Sequence, residues 1–412
     1  MKKLLCIGWV WPEPNSSAAG YNILSLLKTF NQQDWQITFA SSAQTTPLMA
    51  DLQKLGYCCQ SIELNSSSFD DFVQELDPQI VIFDRFMIEE QYGWRVLQQC
   101  PQALRILNTE DLQFLRQARH TWVKQHGQVA NNLEDLDLNT DLAKREIASI
   151  YRCDLSLIIS LFEFNLLKEH FKIAPSLLHL MPFQLTANTS QAFEYDQRQH
   201  FITVGNFRHA PNWDAVLWLK QAIWPAIRQQ LPKAELHIYG SYTPPKATQL
   251  NCIKTGFLIK GWANDVHQVM KKAKVCLAPL KFGAGLKGKI ADAMLNQTPV
   301  VTTSIGAEGM FDSNNAPGFI ENDTNAFVAR AIELFADKST WLTKSEKCLS
   351  LIQQHYQPET ISKSLIEKVE LVRHQLNAHR QENFIGQMLN HHTMQSTKYM
   401  AQWIEAKNRI NT

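Results

Sequence analysis

Short, unbroken runs of apolar residues alternate with amphipathic stretches along the first half of the chain. The apolar runs, predicted to be β-strands, span residues 4–10, 36–40, 59–64, 80–83, 104–107, 155–159 and 177–181. Amphipathic stretches such as 19–30 and 69–76 lie between them and predict helices. Because strands without polar alternation are typical of parallel sheets covered on both faces, the first half is predicted to be a doubly wound α/β domain.

A polar segment at 186–200 interrupts this pattern and is predicted to be an interdomain linker. A second strand-helix alternation follows, with predicted strands at 201–204, 235–239, 253–259, 275–280, 300–302 and 318–320 and a helix at 213–229. A chain of 412 residues is long enough for two hydrophobic cores. We therefore expect two α/β domains, one at 1–185 and one at 201–355.

The last part of the chain is predicted to be helical and increasingly polar. A break near Pro358 precedes a predicted helix at 359–377, and residues 381–412 are rich in Gln, His, Asn and Met. Such a composition predicts a peripheral helical tail with weak order.

Composition excludes several classes of protein. The content is 45% hydrophobic and 19% charged, and the formal net charge of +1 gives no electrostatic reason to expect a nucleic-acid partner. No apolar run approaches the ~18–20 residues that a membrane-spanning helix needs. The eight cysteines form no C-x-x-C pair, so we expect reduced thiols in a cytoplasmic protein.

A glycine-lysine loop is the strongest chemical signal in the sequence. The chain has only 16 glycines, yet Gly283, Gly285 and Gly288 fall within six positions, directly after a predicted strand. Lys287 and Lys289 add positive charge at the start of a predicted helix. Bare backbone, cations and a helix N-terminus together indicate an anion site, most simply for a phosphate. The alternative is a turn with solvated lysines.

The helix after this loop is predicted to begin near Leu286. Lys289 and Asp292 then share a face, about 4.5 Å apart along the axis. A cation near the helix start suits a diphosphate, and a carboxylate one turn later suits ribose hydroxyl groups.

Small polar residues follow the first predicted strand. Asn15, Ser16, Ser17, Ala18 and Gly20 would let a ligand approach the backbone closely. The alternative is a tight strand-to-helix turn.

Charged residues follow other strands at the edge where open α/β sheets bind their ligands. Arg208 follows the first strand of the second domain and is a candidate cation for a diphosphate, whereas the neighbouring His209 has no assigned role. Glu110 and Asp111 follow a first-domain strand and are candidates to contact sugar or acceptor hydroxyls. Asp111 has the alternative of capping the next helix.

No metal site is expected. Asp135 and Asp137 spell a D-x-D tripeptide, but they lie in an acidic patch rather than directly after a strand. Such tripeptides are frequent by chance.

Four ordered stretches resemble group 1, family 4-like glycosyltransferases of the GT-B fold. Residues 10–20 resemble the acceptor loop of that group, 204–215 the start of its second domain and 261–265 its base-binding turn. Residues 282–294 together with 298–309 resemble its donor motif. The similarity covers roughly residues 1–380.

The resemblance implies two Rossmann-like doubly wound domains that face a central cleft. The second domain would bind a nucleoside diphosphate sugar, the first would present the acceptor, and residues 356–380 would return to brace the first domain. Transfer would be retaining and metal-independent, without a cofactor. The implied donor-site residues are Gly283, Ala284, Gly285, Leu286, Lys287, Lys289, Asp292, Gly261, Trp262 and Gly205. The candidate catalytic residues are Lys287, Lys289, Arg208, Glu110 and Asp111.

The chain departs from the group's pattern at three places. Asp292 stands where the group usually has Glu, which is one methylene longer. Gln297 and its neighbours stand where the group usually has Gly. Ala284 occupies the position of the first glutamate in the widespread E-x7-E pattern, which the glycine-lysine loop replaces.

Two other functions stay open from the sequence. One is a nucleotide-sugar epimerase or hydrolase on the same fold, and the other is a non-catalytic nucleotide-sugar-binding or scaffold protein. A nicotinamide oxidoreductase is disfavoured, because no glycine fingerprint follows the first strand. The acceptor is undefined among glycans, lipids and proteins, and peripheral membrane association and oligomeric state are undetermined.

Overall fold

The computed structural model describes residues 2–187 and 193–410, without the side chains of 392–395. The predicted linker at 186–200 therefore lies partly outside the described residues. The described strands form two parallel sheets, so the predicted two-sheet α/β fold is confirmed.

The first sheet has the strand order β3-β2-β1-β4-β5-β6-β7. Its strands are β1 (Lys2–Gly8), β2 (Trp35–Ser41), β3 (Cys58–Ser61), β4 (Ile80–Asp84), β5 (Leu104–Asn108), β6 (Leu155–Ile158) and β7 (Leu178–Leu180). Alternate residues of β1 enter opposite cores: Leu5 packs in one hydrophobic cluster and Leu4 in another. Both faces of the sheet are thus covered, which explains why the strands show no polar alternation.

The second sheet has the order β10-β9-β8-β11-β12-β13. Its strands are β8 (His200–Val204), β9 (Leu236–Tyr239), β10 (Phe257–Gly261), β11 (Ala273–Ala278), β12 (Val300–Thr302) and β13 (Gly318–Ile320). Two further clusters cover its faces, one around Ile202 and one around Phe201.

Helices flank both sheets and close the chain. Those before the second sheet are α1 (Ala18–Asn31), α2 (Ser68–Leu76), α3 (Phe86–Gln99), α4 (Gln113–His126), α5 (Asp141–Arg152) and α6 (Leu161–Glu169). Those that follow are α7 (Ala210–Trp218), α8 (Trp224–Gln230), α9 (Pro245–Thr248), α10 (Val266–Lys272), α11 (Gly288–Leu295), α12 (Ser304–Ala307), α13 (Thr324–Ala336), α14 (Lys338–His355), α15 (Pro358–His374), α16 (Leu376–Glu382) and α17 (Phe384–Ile410).

Several predicted strands have wrong boundaries; the strand predicted at 59–64, for example, ends at Ser61. The strand predicted at 253–259 begins only at Phe257, because Ile253–Thr255 forms a 3-10 turn that ends at Gly256 with φ 67°. The strand predicted at 4–10 ends at Gly8. The side chain of Val10 is then 48% exposed, so this apolar residue does not belong to the buried strand.

Two predicted helices also differ from the structure. The helix predicted at 213–229 is continuous from α7 to α8 but contains a π-helical segment, Leu219–Ile223. The helix predicted from near Leu286 begins at Gly288, and Lys287 is its N-cap residue. The glycine-lysine loop is therefore longer than the sequence indicated.

After the second sheet, the chain returns to the first domain. Leu365 and Val369 of α15 are buried in the same cluster as Leu27 of α1. The chain leaves and rejoins the first domain at neighbouring points, since the backbone amide of Leu185 donates a 2.8 Å hydrogen bond to the carbonyl of Tyr356. The long helix α17 packs against α5 and α3. Among the described residues, no helix is both long and apolar enough to span a membrane.

Candidate functional site

Loops from the carboxyl ends of both sheets line one large cavity between the domains. Its volume is about 1430 Å³. Single-ligand pockets usually measure about 300–1,000 Å³, so this cavity has room for more than one small ligand. The residues that follow β1, β4 and β5 form one wall, and those that follow β8, β9 and β11 form the other.

The glycine-lysine loop connects β11 to α11 in a backbone form that requires glycine. Gly283 has φ 150° and Gly285 has φ 63°, both in the region that side chains disfavour. A Cβ added at Gly285 would lie only 2.9 Å from the Cβ of Asp111 in the other domain. Glycine at 285 therefore serves the backbone turn and the close approach of the two domains at once.

The two lysines of the loop have different surroundings. Lys287 is buried, and its Nζ donates to the carbonyl oxygens of Gly285 and Ala284, which holds the loop together. Lys289 lies on the cavity wall, and its Nζ donates a 2.8 Å hydrogen bond to Oδ1 of Asn212. Burial lowers the pKa of Lys289 to about 8. Lys289 is therefore the better placed of the two to meet an anion in the cavity.

Asp292 lies one turn further along α11 and also lines the cavity. Burial raises the pKa of its carboxyl to about 7. Its position relative to Lys289 follows the predicted shared face. The carboxyl is therefore placed where it can exchange hydrogen bonds with hydroxyl groups of a ligand.

Of the remaining predicted residues of the second domain, Arg208, Gly205 and Trp262 line the cavity, whereas Gly261 does not. Arg208 is exposed on its wall, with the guanidinium 3.7 Å from the centre of the Tyr242 ring. Gly205 packs against the side chain of Asn212, and a Cβ there would lie 2.6 Å from it. Trp262 lines the cavity and is 37% exposed. Gly261 ends β10, where its carbonyl accepts a 2.8 Å bond from the amide of Gly240.

The predicted acceptor loop forms the facing wall. Asn15, Ser16, Ser17, Ala18 and Gly20 all line the cavity. Ser17 caps α1 through a 3.0 Å bond from the amide of Gly20, a structural role for this serine at the start of the helix. Ser16 reaches across the cleft, where its Oγ lies 3.0 Å from the Oγ of Ser241.

Glu110 and Asp111 line the cavity on the side of the first domain. Glu110 has the strained φ of 56°, and its Oε1 accepts bonds from Asn108 at 2.8 Å and Asn22 at 3.1 Å. Burial, followed by the charge of Asp84, raises the pKa of Glu110. Burial alone would raise the pKa of Asp111 too, but its ion pair with Arg116 lowers it below the ordinary value. The two carboxyls are thus biased towards opposite protonation states.

The D-x-D tripeptide has local structural roles. The Asp135 carboxylate accepts from the amide of Asn132, and Asp137 accepts from the amide of Asn139. Within residues 2–187 and 193–410, no group of three or more His, Cys, Asp or Glu side chains is arranged to hold a metal ion.

Several cleft residues escaped prediction from the sequence. Arg119 and Glu163 of the first domain contact the glycine-lysine loop, and Tyr242 of the second domain donates to both carboxylate oxygens of Glu13 at 2.8 and 3.0 Å. Glu163 follows Ser160 at capping-box spacing, which in the sequence signals only a helix start. Contacts between domains have no such local signal.

Comparison with known proteins gives one family match. Residues 198–337 match the family model described as Glycosyl transferases group 1. A curated relative, an uncharacterized 44.6 kDa protein in the cps region of Klebsiella pneumoniae, is 26% identical over 187 residues. That match spans 43% of this chain and 48% of the relative, so it covers about half of each protein.

The fold of nearly the whole chain is similar to that of several solved structures. A TarM mutant of S. aureus in complex with fondaparinux, α-GlcNAc-glycerol and UDP has a TM-score of 0.67 at 10% identity, over 89% of this chain and 99% of that one. HepE of Anabaena with UDP and glucose gives 0.64 at 12% identity, over 90% and 100%. The pneumococcal O-GlcNAc transferase GtfA with UDP and GlcNAc gives 0.64 at 11%, over 90% and 99%.

Proposed function

We propose that the protein transfers a sugar from a nucleoside diphosphate sugar to an acceptor, on the premise that residues 198–337, which match the group 1 glycosyltransferase model, belong to the second domain of a GT-B fold. One observation carries the proposal. The glycine-lysine loop and Lys289 line the same cavity as the acceptor loop at 15–20, on the opposite wall. A donor on one wall would then face an acceptor on the other.

Sugar transfer requires that the negative charge of the departing diphosphate be stabilised. Lys289 and Arg208 are cations on the cavity wall, and the first amides of α11 add the partial positive charge of a helix N-terminus. Groups of this kind, fixed before reaction, stabilise the charge that develops on a leaving group. They support the proposal of a metal-independent transfer, in which the anomeric configuration is retained as in the group that the chain resembles.

Uridine is the base to test first, because UDP is present in the similar TarM, HepE and GtfA structures. Trp262 lines the cavity after β10 and offers an aromatic surface for a base. We propose a hydroxyl-bearing glycan, lipid or protein as acceptor, with Glu110 and Asp111 as its contacts. The described cysteines are all free, which supports a reducing, cytoplasmic location.

One observation favours a second candidate, a protein that binds a nucleotide sugar without transferring it. Lys287 lines the cavity, but its Nζ donates to two carbonyl oxygens of its own loop. Such a protein would keep Lys289 for binding and lack one of the cations that transfer would use.

Calorimetry with UDP and GDP, followed by turnover of the matching nucleotide sugars, tests the proposal. We expect UDP to bind the wild-type protein and Lys289→Ala to lose about 10²–10³-fold in turnover, the usual effect of removing one electrostatic contact to the transition state. Binding without turnover under any acceptor mixture favours the second candidate. Consumption of the donor without an acceptor indicates an epimerase or hydrolase, and failure of every nucleotide to bind refutes a donor site.

A further inference from the structure

Arg119 joins the first domain to the glycine-lysine loop of the second. From α4, its guanidinium donates at 2.8 Å to the carbonyl of Gly283. The same guanidinium donates twice to the carboxylate of Glu308, at 2.8 and 2.6 Å. Arg119 is 4% exposed, so this two-bond ion pair is shielded from solvent. Planar, doubly bonded pairs of this type impose geometry as well as attraction.

Glu163 holds the same loop from a second point. One oxygen, Oε1, accepts from the backbone amide of Gly285 at 2.9 Å and from the amide of Leu112 at 2.9 Å. The other oxygen accepts from Ser160 at 3.0 Å. Glu163 is completely buried. One carboxylate oxygen thus ties a loop of the second domain to the backbone of the first.

Apolar contacts accompany these polar ones. Ala284 packs in a hydrophobic cluster of the first domain, between the two residues that Arg119 and Glu163 hold. Phe282 stacks on the ring of His120, with ring centres 4.3 Å apart and planes 11° apart. Residues 282–285 of the loop therefore all contact the first domain.

We infer that Arg119 and Glu163 are positioning residues that set the backbone of the glycine-lysine loop from the opposite domain. The inference rests on the proposed function only in assigning the loop to the donor diphosphate. The glycine-lysine loop adopts this conformation while it contacts the first domain. Closure of the cleft and ordering of the loop are therefore coupled. By linkage, a ligand that binds the ordered loop favours the closed cleft to the same extent.

Hydrogen exchange of the backbone amides at 283–288 tests this inference without any substrate. Glu163→Ala removes the acceptor of the Gly285 amide, and Arg119→Gln removes the two-bond contact to Glu308. We expect faster exchange in this segment for both variants. Unchanged exchange in both overturns the inference, whatever the protein's activity.

Two matched controls come from the same domain. Glu146 is also buried and accepts two backbone amides, from Gln113 at 3.1 Å and Phe114 at 3.0 Å. Arg145 forms a similar two-bond pair with Glu90 at 3.0 and 2.6 Å. We expect Glu146→Ala and Arg145→Gln to leave exchange at 283–288 unchanged. If the control variants also accelerate exchange at 283–288, the protein is loosened as a whole. That result would contradict a specific role for Arg119 and Glu163.

UDP titration of the same variants gives the second readout. We expect Arg119→Gln to weaken UDP binding by about 5- to 150-fold, the usual range of coupling between sites, and Arg119→Lys to restore part of it. If turnover is measurable, the loss should appear in KM for the donor before kcat. Should UDP fail to bind even the wild-type protein, the donor assignment fails while the exchange result still decides the positioning role.

Circular dichroism and thermal unfolding establish that each variant is folded. If Arg119→Gln does not fold, Arg119→Lys keeps the experiment decisive, because lysine retains the charge but not the planar two-bond geometry. Exchange at 283–288 that equals wild type in a folded Arg119→Lys and a folded Glu163→Ala overturns the inference.

Discussion

Lys289 and Asn212 lie on different helices of the second domain, and the 2.8 Å hydrogen bond between them fixes the lysine ammonium on the cavity wall. Because burial lowers the pKa of Lys289 to about 8, this cation is lost in mildly alkaline solution. The pH dependence of ligand binding therefore reports directly on whether Lys289 meets an anion.

UDP affinity should fall as the pH rises above about 8, where Lys289 loses its charge. Lysine is charged below its pKa, so each further pH unit should cost up to about tenfold in affinity. Calorimetric titrations between pH 6.5 and 9.5, compared with Lys289→Arg, measure this effect. Arginine stays charged throughout, so an equally steep fall in that variant would contradict the assignment.

Asp292→Glu should tighten UDP binding, because the added methylene brings the carboxylate closer to the ribose. A new hydrogen bond to a charged group is worth about 1.5–3 kcal/mol, or roughly tenfold or more in affinity. The matched ligand is 2′-deoxy-UDP. We expect a smaller gain for it if the carboxylate reaches the 2′-hydroxyl, whereas equal gains for both ligands would exclude that contact.

Leu365→Ala should destabilise the protein by about 2–5 kcal/mol, because it opens a cavity where α15 packs on the first domain. Leu371 is the matched control, since it lies on the same helix but is 53% exposed. We expect Leu371→Ala to change stability by no more than about 0.5 kcal/mol. Urea unfolding followed by tryptophan fluorescence measures both, and similar losses would mean that α15 does not brace the first domain.

Glu146→Gln should flatten the pH dependence of stability. Burial raises the pKa of Glu146 from 4.5 to about 8. Since the folded protein then binds a proton that the unfolded chain releases, the contribution of Glu146 to wild-type stability is greatest below pH 4.5 and is lost as the pH rises to about 8. The slope from this one group is at most about 1.4 kcal/mol per pH unit.

Urea unfolding of both proteins from pH 5 to 8.5 isolates the contribution of Glu146, because every other group is shared. The difference in unfolding free energy between variant and wild type should grow with pH. A difference that is constant across this range would show that Glu146 titrates normally in the folded protein.

The sequence predicted the parts of the structure that depend on local pattern. Unbroken apolar runs gave the two parallel sheets, and the glycines at 283 and 285 marked a backbone that bends where side chains are disfavoured. A boundary failed where a single residue decides it, as at Gly256 with its φ of 67°. Such residues change the direction of the chain without changing the apolar pattern around them.

The contacts between domains were not predictable from the sequence. Arg119 and Glu308 are 189 positions apart, and no periodicity relates them. The sequence also treated Lys287 and Lys289 alike, because the two lysines flank Gly288 at the predicted start of the same helix. Only the fold separates them, since the N-cap position turns Lys287 back towards its own loop.

The hydrogen bond between Leu185 and Tyr356 joins the two passages of the chain between the domains. Because this bond lies where both connections run, we expect any opening of the cleft to be a rotation about an axis near Tyr356. Atoms far from that axis would then move furthest. A substitution that frees this backbone bond would alter the motion of both domains without changing a single side chain of the glycine-lysine loop.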